Sequence, residues 1–314
     1  MLELDPPKIL VCVSPGEDCA ASLEYAVKEA ARRGCGIHLA LAVRPVWAGV
    51  GEAADLRIVD GEWRKYGTDF LIDCENQVTT AVGPEVPVSS EITHGPVVPS
   101  LVEVSQNAAL VVLQHHRMSH THHVPSLSVT NGVAARAEAP VVAVPDAWRE
   151  RAPHDEVVVV GVEDAVSSSW VVEWAFEEAQ RLDGRLRLVR AWFFSAAFDA
   201  DVFAGQAGLV QSASVREEVR REFAELIQRY PDVPCEVVAV HGPPADVLVA
   251  QSHDARRVVI GRHDPVVPFG SHLGPVARTV LSHASCPVVV LDPLGTRHVH
   301  GGTRARTARP TEEH

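Results

Sequence analysis

One loop in the second half of the chain carries glycines at a spacing that suits phosphate binding. Gly261-Arg262-His263-Asp264 follows an apolar strand, and after nine further residues Gly274-Pro275 precedes a predicted helix. Glycine lets the backbone approach a ligand, and the N–H groups and dipole of a helix N-terminus attract phosphate. The loop therefore predicts an anion site. The alternative is a purely structural turn, because Pro275 also suits the first position of a helix.

The elements around this loop recur in a fixed order. Each half reads as five apolar strands that alternate with helical segments, which predicts a parallel, doubly wound α/β sheet. Ligands of such sheets bind beyond the carboxyl ends of the strands. The loops after strands one, two and four are thus expected to converge on one site in each half.

The two halves are copies of one unit. Residues 109–143 and 256–290 both read as strand, loop, Ala-rich helix and strand, and align without a gap. The tripeptide His-Gly-Pro also recurs, at 94–96 and at 241–243. A repeat this long indicates two domains, which we place at 1–147 and 156–293. Residues 294–314 hold almost no apolar side chain and are predicted to be a disordered tail.

Composition limits the classes of partner and the compartment. The net charge is -13, with no basic cluster outside the tail, which argues against nucleic acid binding. No apolar run reaches the roughly 18 residues of a membrane span, and the N-terminus does not resemble a secretory signal. The six cysteines form no CxxC pair. We therefore expect a cytoplasmic protein that binds neither membrane nor nucleic acid.

Five histidines crowd a short segment of the first half: His115, His116, His120, His122 and His123. Imidazoles at this density can bind zinc, copper or nickel. No cysteine or carboxylate completes a tetrahedral set within the segment, so a solvated loop is expected and no metal site is assigned.

The order of elements, the glycine loop and the closing strand PVVVL resemble the universal stress protein family, in a tandem arrangement that covers nearly the whole chain. The resemblance implies the adenine nucleotide alpha hydrolase-like fold and a site for ATP or another adenine nucleotide, with Mg²⁺ beside it. The family signature is GxxG, nine residues, then Gly with Ser or Thr. An Asp ends strand one, and a small apolar residue at the end of strand two lines the adenine pocket.

When the signature is compared residue by residue, the second copy keeps part of it. The implied binding residues are Glu163, Ala191, Gly261, Arg262, Gly270, Ser271, Gly274 and Pro275. Asp264 stands at the second Gly of GxxG, and Pro275 replaces the Ser/Thr, so a hydroxyl and an N–H are lost there. Arg262 and His263 are expected to offset the charge of Asp264. Glu163 takes the place of the strand-one Asp, and the adjacent Asp164 raises the hypothesis of a Mg²⁺ site.

The first copy departs further from the pattern, and we expect it to bind no nucleotide. Gln114 and Arg117 replace the two glycines of GxxG, Leu127-Ser128 replaces the later Gly-Ser/Thr pair, and Ser14 replaces the strand-one Asp.

Strand five of each copy is an apolar strand at a sheet edge, and exposed edges pair readily. Family dimers pair this strand antiparallel, so the resemblance implies that the two halves form a pseudo-dimer within the chain. Whether two chains then form a homodimer is left open.

The expected function is that of a stress-response binding module with unidentified protein partners and a degenerate nucleotide site in the second half. No catalytic residue is assigned, because the chain has no Walker motif and no nucleophile elbow. Three alternatives stay open: a ligand-free scaffold, a slow ATPase in which Arg262 neutralises phosphate charge, and a metal binder at the histidine segment.

Overall fold

The computed structural model describes residues 7–43, 53–115, 126–150, 156–193, 206–262 and 273–293. The first half contains β1 (Ile9–Val13), α1 (Ala20–Arg33), β2 (Ile37–Val43), α2 (Ala53–Val82), β3 (Val88–His94), α3 (Val97–Val104), β4 (Leu110–His115), α4 (Ser126–Ala134) and β5 (Val141–Pro145). The second half contains β6 (Val157–Gly161), α5 (Ala165–Arg181), β7 (Arg185–Trp192), α6 (Gln206–Glu222), α7 (Ala224–Arg229), β8 (Cys235–His241), α8 (Pro244–Gln251), β9 (Arg257–Gly261), α9 (Pro275–His283) and β10 (Val288–Leu291). The predicted order of elements is confirmed in both halves.

All ten strands form one sheet in the order β3-β2-β1-β4-β5-β10-β9-β6-β7-β8. The strands run parallel within each half, and their order reverses beside the first strand of that half, as in a doubly wound fold. Helices cover both faces, so the central strands are buried on both sides and read as continuous apolar runs.

The halves meet at their fifth strands, as the sequence predicts. β5 and β10 pair antiparallel, with Val288 opposite Ala143 and Val290 opposite Val141. Pairing satisfies the hydrogen-bonding edge that each half would otherwise expose. The described helices include none that is long and apolar enough to cross a membrane.

The six cysteines are all free and half-buried or buried. Burial raises the pKa of the Cys12 thiol to about 12, so this group stays protonated near neutral pH. Cys12 therefore has a structural role in the core, because a buried and protonated thiol is unreactive.

A buried group of charges, which we call the central ion cluster, also joins the halves: Glu29 and Arg33 of α1, Glu178 of α5, and Arg257 at the start of β9. Arg257 Nη2 lies 2.8 Å from Glu29 Oε1, and Arg257 also binds Glu178. Arg33 bridges the same two carboxylates, at 3.1 Å from Glu29 and 2.8 Å from Glu178. Arg257 is fully buried. Each cation thus contacts both halves, which fixes their relative position.

A second ionic contact across the junction is centred on Glu150. Its carboxylate lies 2.9 Å from Lys28, 2.6 Å from Arg32 and 2.7 Å from Arg256. Burial alone would raise the pKa of Glu150, but the hydrogen bonds from these three cations lower it to about 2. Burial likewise opposes the ionisation of Glu29, yet Arg257 and Arg33 hold its pKa well below the usual range.

These lowered pKa values predict a loss of stability in acid. In the unfolded chain Glu150 and Glu29 take up protons near their ordinary pKa of 4.5, whereas the folded chain binds them only at lower pH. Stability is therefore fully present above about pH 5 and falls as the pH drops toward 2. Urea midpoints measured at pH 7, 5 and 3 should decrease between the last two values, and less steeply for Glu150→Gln. Parallel curves for wild type and variant would contradict this assignment.

Candidate functional site

A cavity of about 400 Å³ opens beyond the carboxyl ends of β6, β7 and β9. This is the edge of the second half at which the sheet's strand order reverses, and residues that directly follow these three strands line the cavity. Its wall is mostly apolar, with contributions from β7, α5, α8 and α9, and a few polar groups at the rim. The position and composition are those of a small-molecule site.

The structure gathers most of the residues that the sequence singled out around this cavity. The ones that line it are Glu163, Ala191, Gly261, Arg262, Gly274 and Pro275. They come from four separate stretches of chain, so only the fold brings them together. Gly270 and Ser271, together with His263 and Asp264, lie outside the described residues.

Gly261 has a packing reason that the sequence did not reveal. A Cβ atom at this position would lie 2.7 Å from Val171 Cγ2 and 2.9 Å from Trp170 Cζ2. Carbon atoms do not approach so closely, so the contact of β9 with α5 by itself requires glycine here. Packing against α5 thus accounts for this glycine without a ligand.

The N-terminus of α9 forms one wall of the cavity. Gly274 caps the helix without a side-chain hydrogen bond, and Pro275 occupies its first turn. The next two residues, Val276 and Ala277, also line the cavity. Their N–H groups belong to the first turn of a helix, which lacks intrahelical partners, whereas Pro275 has no N–H to offer. The wall can donate to an anion, but Pro275 supplies neither the hydroxyl nor the N–H of the Ser or Thr in the family pattern.

Arg262 is held by groups of both halves. Its guanidinium binds Asp292 at the end of β10 and donates to the Ala134 carbonyl oxygen of the first half, 3.2 Å away. Burial lowers the pKa of Arg262 to about 10, against the influence of Glu138, so the group stays charged at neutral pH. The cation is therefore already paired, and it connects the cavity wall to the other half.

The two carboxylates after β6 have separate surroundings. Asp164 caps α5, accepting hydrogen bonds from the Ser167 N–H at 2.9 Å and the Ser167 hydroxyl at 3.0 Å, and these bonds lower its pKa. Glu163 is exposed at the rim of the cavity. Within the described ranges, no group of three or more His, Cys, Asp or Glu side chains could hold a metal ion. Among the described residues that line the cavity, Glu163 is the carboxylate relevant to the Mg²⁺ hypothesis.

Sequence reasoning missed several side chains of the cavity. Trp170 and the exposed Phe193 add aromatic surface at its wall, and Arg190 contributes a guanidinium. Arg190 is held by both carboxylate oxygens of Glu222, while its Nε has no hydrogen-bond partner among the described residues. A usable signal was the charge of Arg190 between Val189 and Ala191, in the apolar second half of the strand RLRLVRAW, since buried strands rarely carry an unpaired cation.

A polar side chain occupies the position of Gly261 in the first half. Gln114, which aligns with Gly261, is buried; it accepts a hydrogen bond from the Ser22 N–H at 3.1 Å and donates to the Asp18 carbonyl. The Gln114 amide therefore connects the loop between β1 and α1 to the end of β4. Leu127 and Ser128 lie in α4, but their side chains, like His116–His123 and Arg117, are outside the described residues.

Comparison with known proteins agrees with this architecture. The model of the universal stress protein family matches the chain twice, at residues 7–145 and 156–292. A universal stress protein of Mycobacterium tuberculosis is 27% identical over 293 residues, which cover 88% of this chain and 92% of that protein. Another from the same organism is 30% identical over 244 residues, covering 73% and 78%.

The solved structures agree on the fold. The universal stress protein of Archaeoglobus fulgidus matches with a TM-score of 0.65 at 16% identity, covering 91% of this chain and 98% of that one. Two copies of the family model, joined through their fifth strands, account for every described strand of the sheet. The chain belongs to the universal stress protein family and contains two of its domains in tandem.

Proposed function

We propose that the second domain binds an adenine nucleotide in the cavity beyond β6, β7 and β9, and that the chain is a cytoplasmic regulatory module of a stress response. The observation that supports this most is the convergence of Glu163, Ala191, Gly261, Gly274 and Pro275 on one cavity of about 400 Å³. That volume is adequate for a drug-sized or nucleotide-sized ligand. Nucleotide binding would favour one conformation and so alter what the surface offers to a partner protein.

The lining indicates which part of the ligand lies where. Val189, Ala191 and Trp170 supply apolar and aromatic surface suited to a base, at the end of β7 and along α5. The first turn of α9 supplies N–H groups suited to phosphate. Mg²⁺, when bound with the nucleotide, would neutralise phosphate charge. Glu163 is the carboxylate of the described lining that would bind the ion.

Two features predict a weak hold on the phosphates. Pro275 supplies neither a hydroxyl nor an N–H, and the guanidinium of Arg262 is engaged with Asp292. The base and ribose should therefore contribute most of the affinity, and ATP should bind little more tightly than adenosine.

Calorimetric titration with ATP and Mg²⁺ tests the proposal. We expect one site per chain, which disappears in Gly274→Leu because the new side chain enters the cavity beside α9. Pro275→Ser restores the hydroxyl and the N–H. Since a hydrogen bond to a charged group contributes about 1.5–3 kcal/mol, this variant should bind ATP roughly tenfold or more tightly and adenosine unchanged.

Val166→Leu serves as the control, because this residue is exposed on α5 and is not part of the cavity lining. It should bind ATP like the wild type. No heat up to millimolar ATP in either the wild type or Pro275→Ser would overturn the proposal.

A ligand-free scaffold is the second candidate. The observation in its favour is that Gly261 is already required by its contact with Trp170 and Val171, and Pro275 by its place in the first turn of α9. In that case the chain would act through its surface alone. The slow ATPase lacks the charge-neutralising residue that was expected for it, because Arg262 is paired with Asp292. The histidine segment of the metal-binding alternative lies mostly outside the described residues.

Further assembly would have to use a new surface. The fifth strands, which the resemblance assigns to pairing between subunits, already pair with each other within one chain. A homodimer of this chain would therefore form through other edges or faces, and β3 and β8 are the strands at the two ends of the sheet.

A further inference from the structure

Four polar side chains meet on one face of the first domain, at the amino ends of β1, β2 and β3. We call them the Ser89 cluster: Lys8, His38, Ser89 and Glu91. His38 and Ser89 are direct neighbours in the register of β2 and β3, and Glu91 lies two residues farther along the same face of β3. The cluster belongs to the other domain from the nucleotide cavity and shares no residue with it.

The distances define a chain of hydrogen bonds centred on the serine hydroxyl. Ser89 Oγ is 2.9 Å from His38 Nδ1 and 2.9 Å from Lys8 Nζ. His38 Nε2 is 3.4 Å from Glu91 Oε1. The ammonium group of Lys8 can only donate, so Ser89 accepts from it and directs its own proton to His38. Glu91 then faces the Nε2–H of the neutral ring.

The surroundings keep the histidine in the form that accepts a proton. Burial lowers the pKa of His38; Glu91 and Glu75 oppose this effect and Lys8 adds to it. The imidazole, only 2% exposed, is therefore neutral at pH 7. Ser89 itself is half-buried, and the Glu91 side chain keeps 27% of its surface exposed, so small molecules in solvent can reach the cluster.

We propose that Ser89 is a nucleophile that takes an acyl group from small activated esters, with His38 as its general base, Lys8 as the cation beside the developing oxyanion, and Glu91 as the positioning residue. The pattern is that of a nucleophile, a base within hydrogen-bond reach and a third group that orients the base. The half-buried, shallow setting of Ser89 selects small acyl groups over peptides.

The side chains of the Ser89 cluster and water account for every bond and every proton in the reaction. Ser89 Oγ forms a bond to the acyl carbon while its proton passes to His38 Nδ1. The bond from the acyl carbon to the leaving oxygen then breaks, and the leaving alcohol takes the proton from His38. Water hydrolyses the acyl-serine by the reverse route, which restores the hydroxyl and releases the acid.

A fluorophosphonate probe tests the nucleophile directly, because attack forms a P–O bond and expels fluoride with no need for turnover. On the full chain we expect a single adduct in the intact mass, mapped to Ser89 in peptides. Ser89→Ala should abolish it. Ser90→Ala is the matched control, since the neighbouring hydroxyl binds Glu75 instead of histidine and should leave labelling unchanged.

His38→Asn separates base catalysis from structure, because the amide retains a polar group at the position of Nδ1 but cannot accept the proton. Labelling should slow by about 10²–10⁴-fold, with an unaltered circular dichroism spectrum. Glu91→Gln should slow it less and shift its pH midpoint. Labelling that is absent in the wild type, equal at Ser90, or unchanged in His38→Asn would overturn the proposal and leave the cluster as a hydrogen-bonded support of the sheet.

Discussion

Arg257→Met should destabilise the protein by about 3 kcal/mol or more, the usual cost of removing one partner from a buried ion pair. Arg257 is fully buried between Glu29 of the first domain and Glu178 of the second. Methionine matches its length but supplies no charge or donor, so two buried carboxylates lose a shared partner. Chemical denaturation at pH 7 measures the loss, which should appear as a lower midpoint.

Two comparisons test whether the loss of the buried ion pair causes this destabilisation. Arg229→Met removes an arginine from an exposed pair with Glu173 and should cost less than about 1 kcal/mol. Adding Glu29→Gln and Glu178→Gln to Arg257→Met should recover part of the loss, because neutral amides no longer need the cation. If Arg257→Met costs no more than Arg229→Met, the central ion cluster does not hold the domains together.

Val288→Asp should destabilise both domains at once, by several kcal/mol. Val288 is 1% exposed and lies opposite Ala143 in the antiparallel pair of β5 and β10, so a carboxylate there would be buried without a partner. Because this pair is shared by the two domains, its loss is expected to lower both melting transitions. Differential scanning calorimetry measures them separately.

Val166→Asp is the matched control for the same chemical change. Val166 is 94% exposed in the first turn of α5, so its substitution should alter the stability by no more than about 0.5 kcal/mol. A Val288→Asp variant that melts like Val166→Asp would show that the two domains do not depend on this junction.

The fold was largely predictable because its signals are local. Buried parallel strands are continuous apolar runs, and the closing Gly34 of α1 takes up the left-handed conformation that favours glycine. The local signal is weaker for α2, which runs from Ala53 to Val82 and has Gly67 in its interior. Gly67 obscures this helix in the sequence. A Cβ atom there would lie 3.1 Å from Leu41 Cδ2, so a close approach to β2 accounts for it.

The candidate site was predictable in place but only partly in composition. Strand ends converge in any doubly wound sheet, and the family resemblance singled out Glu163, Ala191 and Gly274, which line one cavity. The pairing of Arg262 with Asp292 could not be predicted, since it depends on the direction of a long side chain in the folded molecule. Trp170 was missed for a similar reason, because nothing in its local sequence marks the face that it shares with the cavity.

The sequence determined the tandem α/β architecture and the neighbourhood of the candidate cavity, and its resemblance to the family indicated the edge through which the domains pair. The architecture follows from hydrophobic patterns and glycine positions, which act over short stretches of chain, and from the repeat. Only the tertiary structure decided which charges meet. Arg257 and Glu29 are 228 positions apart, and the Ser89 cluster joins three strands whose register no local pattern specifies. Ionic and hydrogen bonds need atoms within about 3 Å, a condition that only the folded chain fulfils.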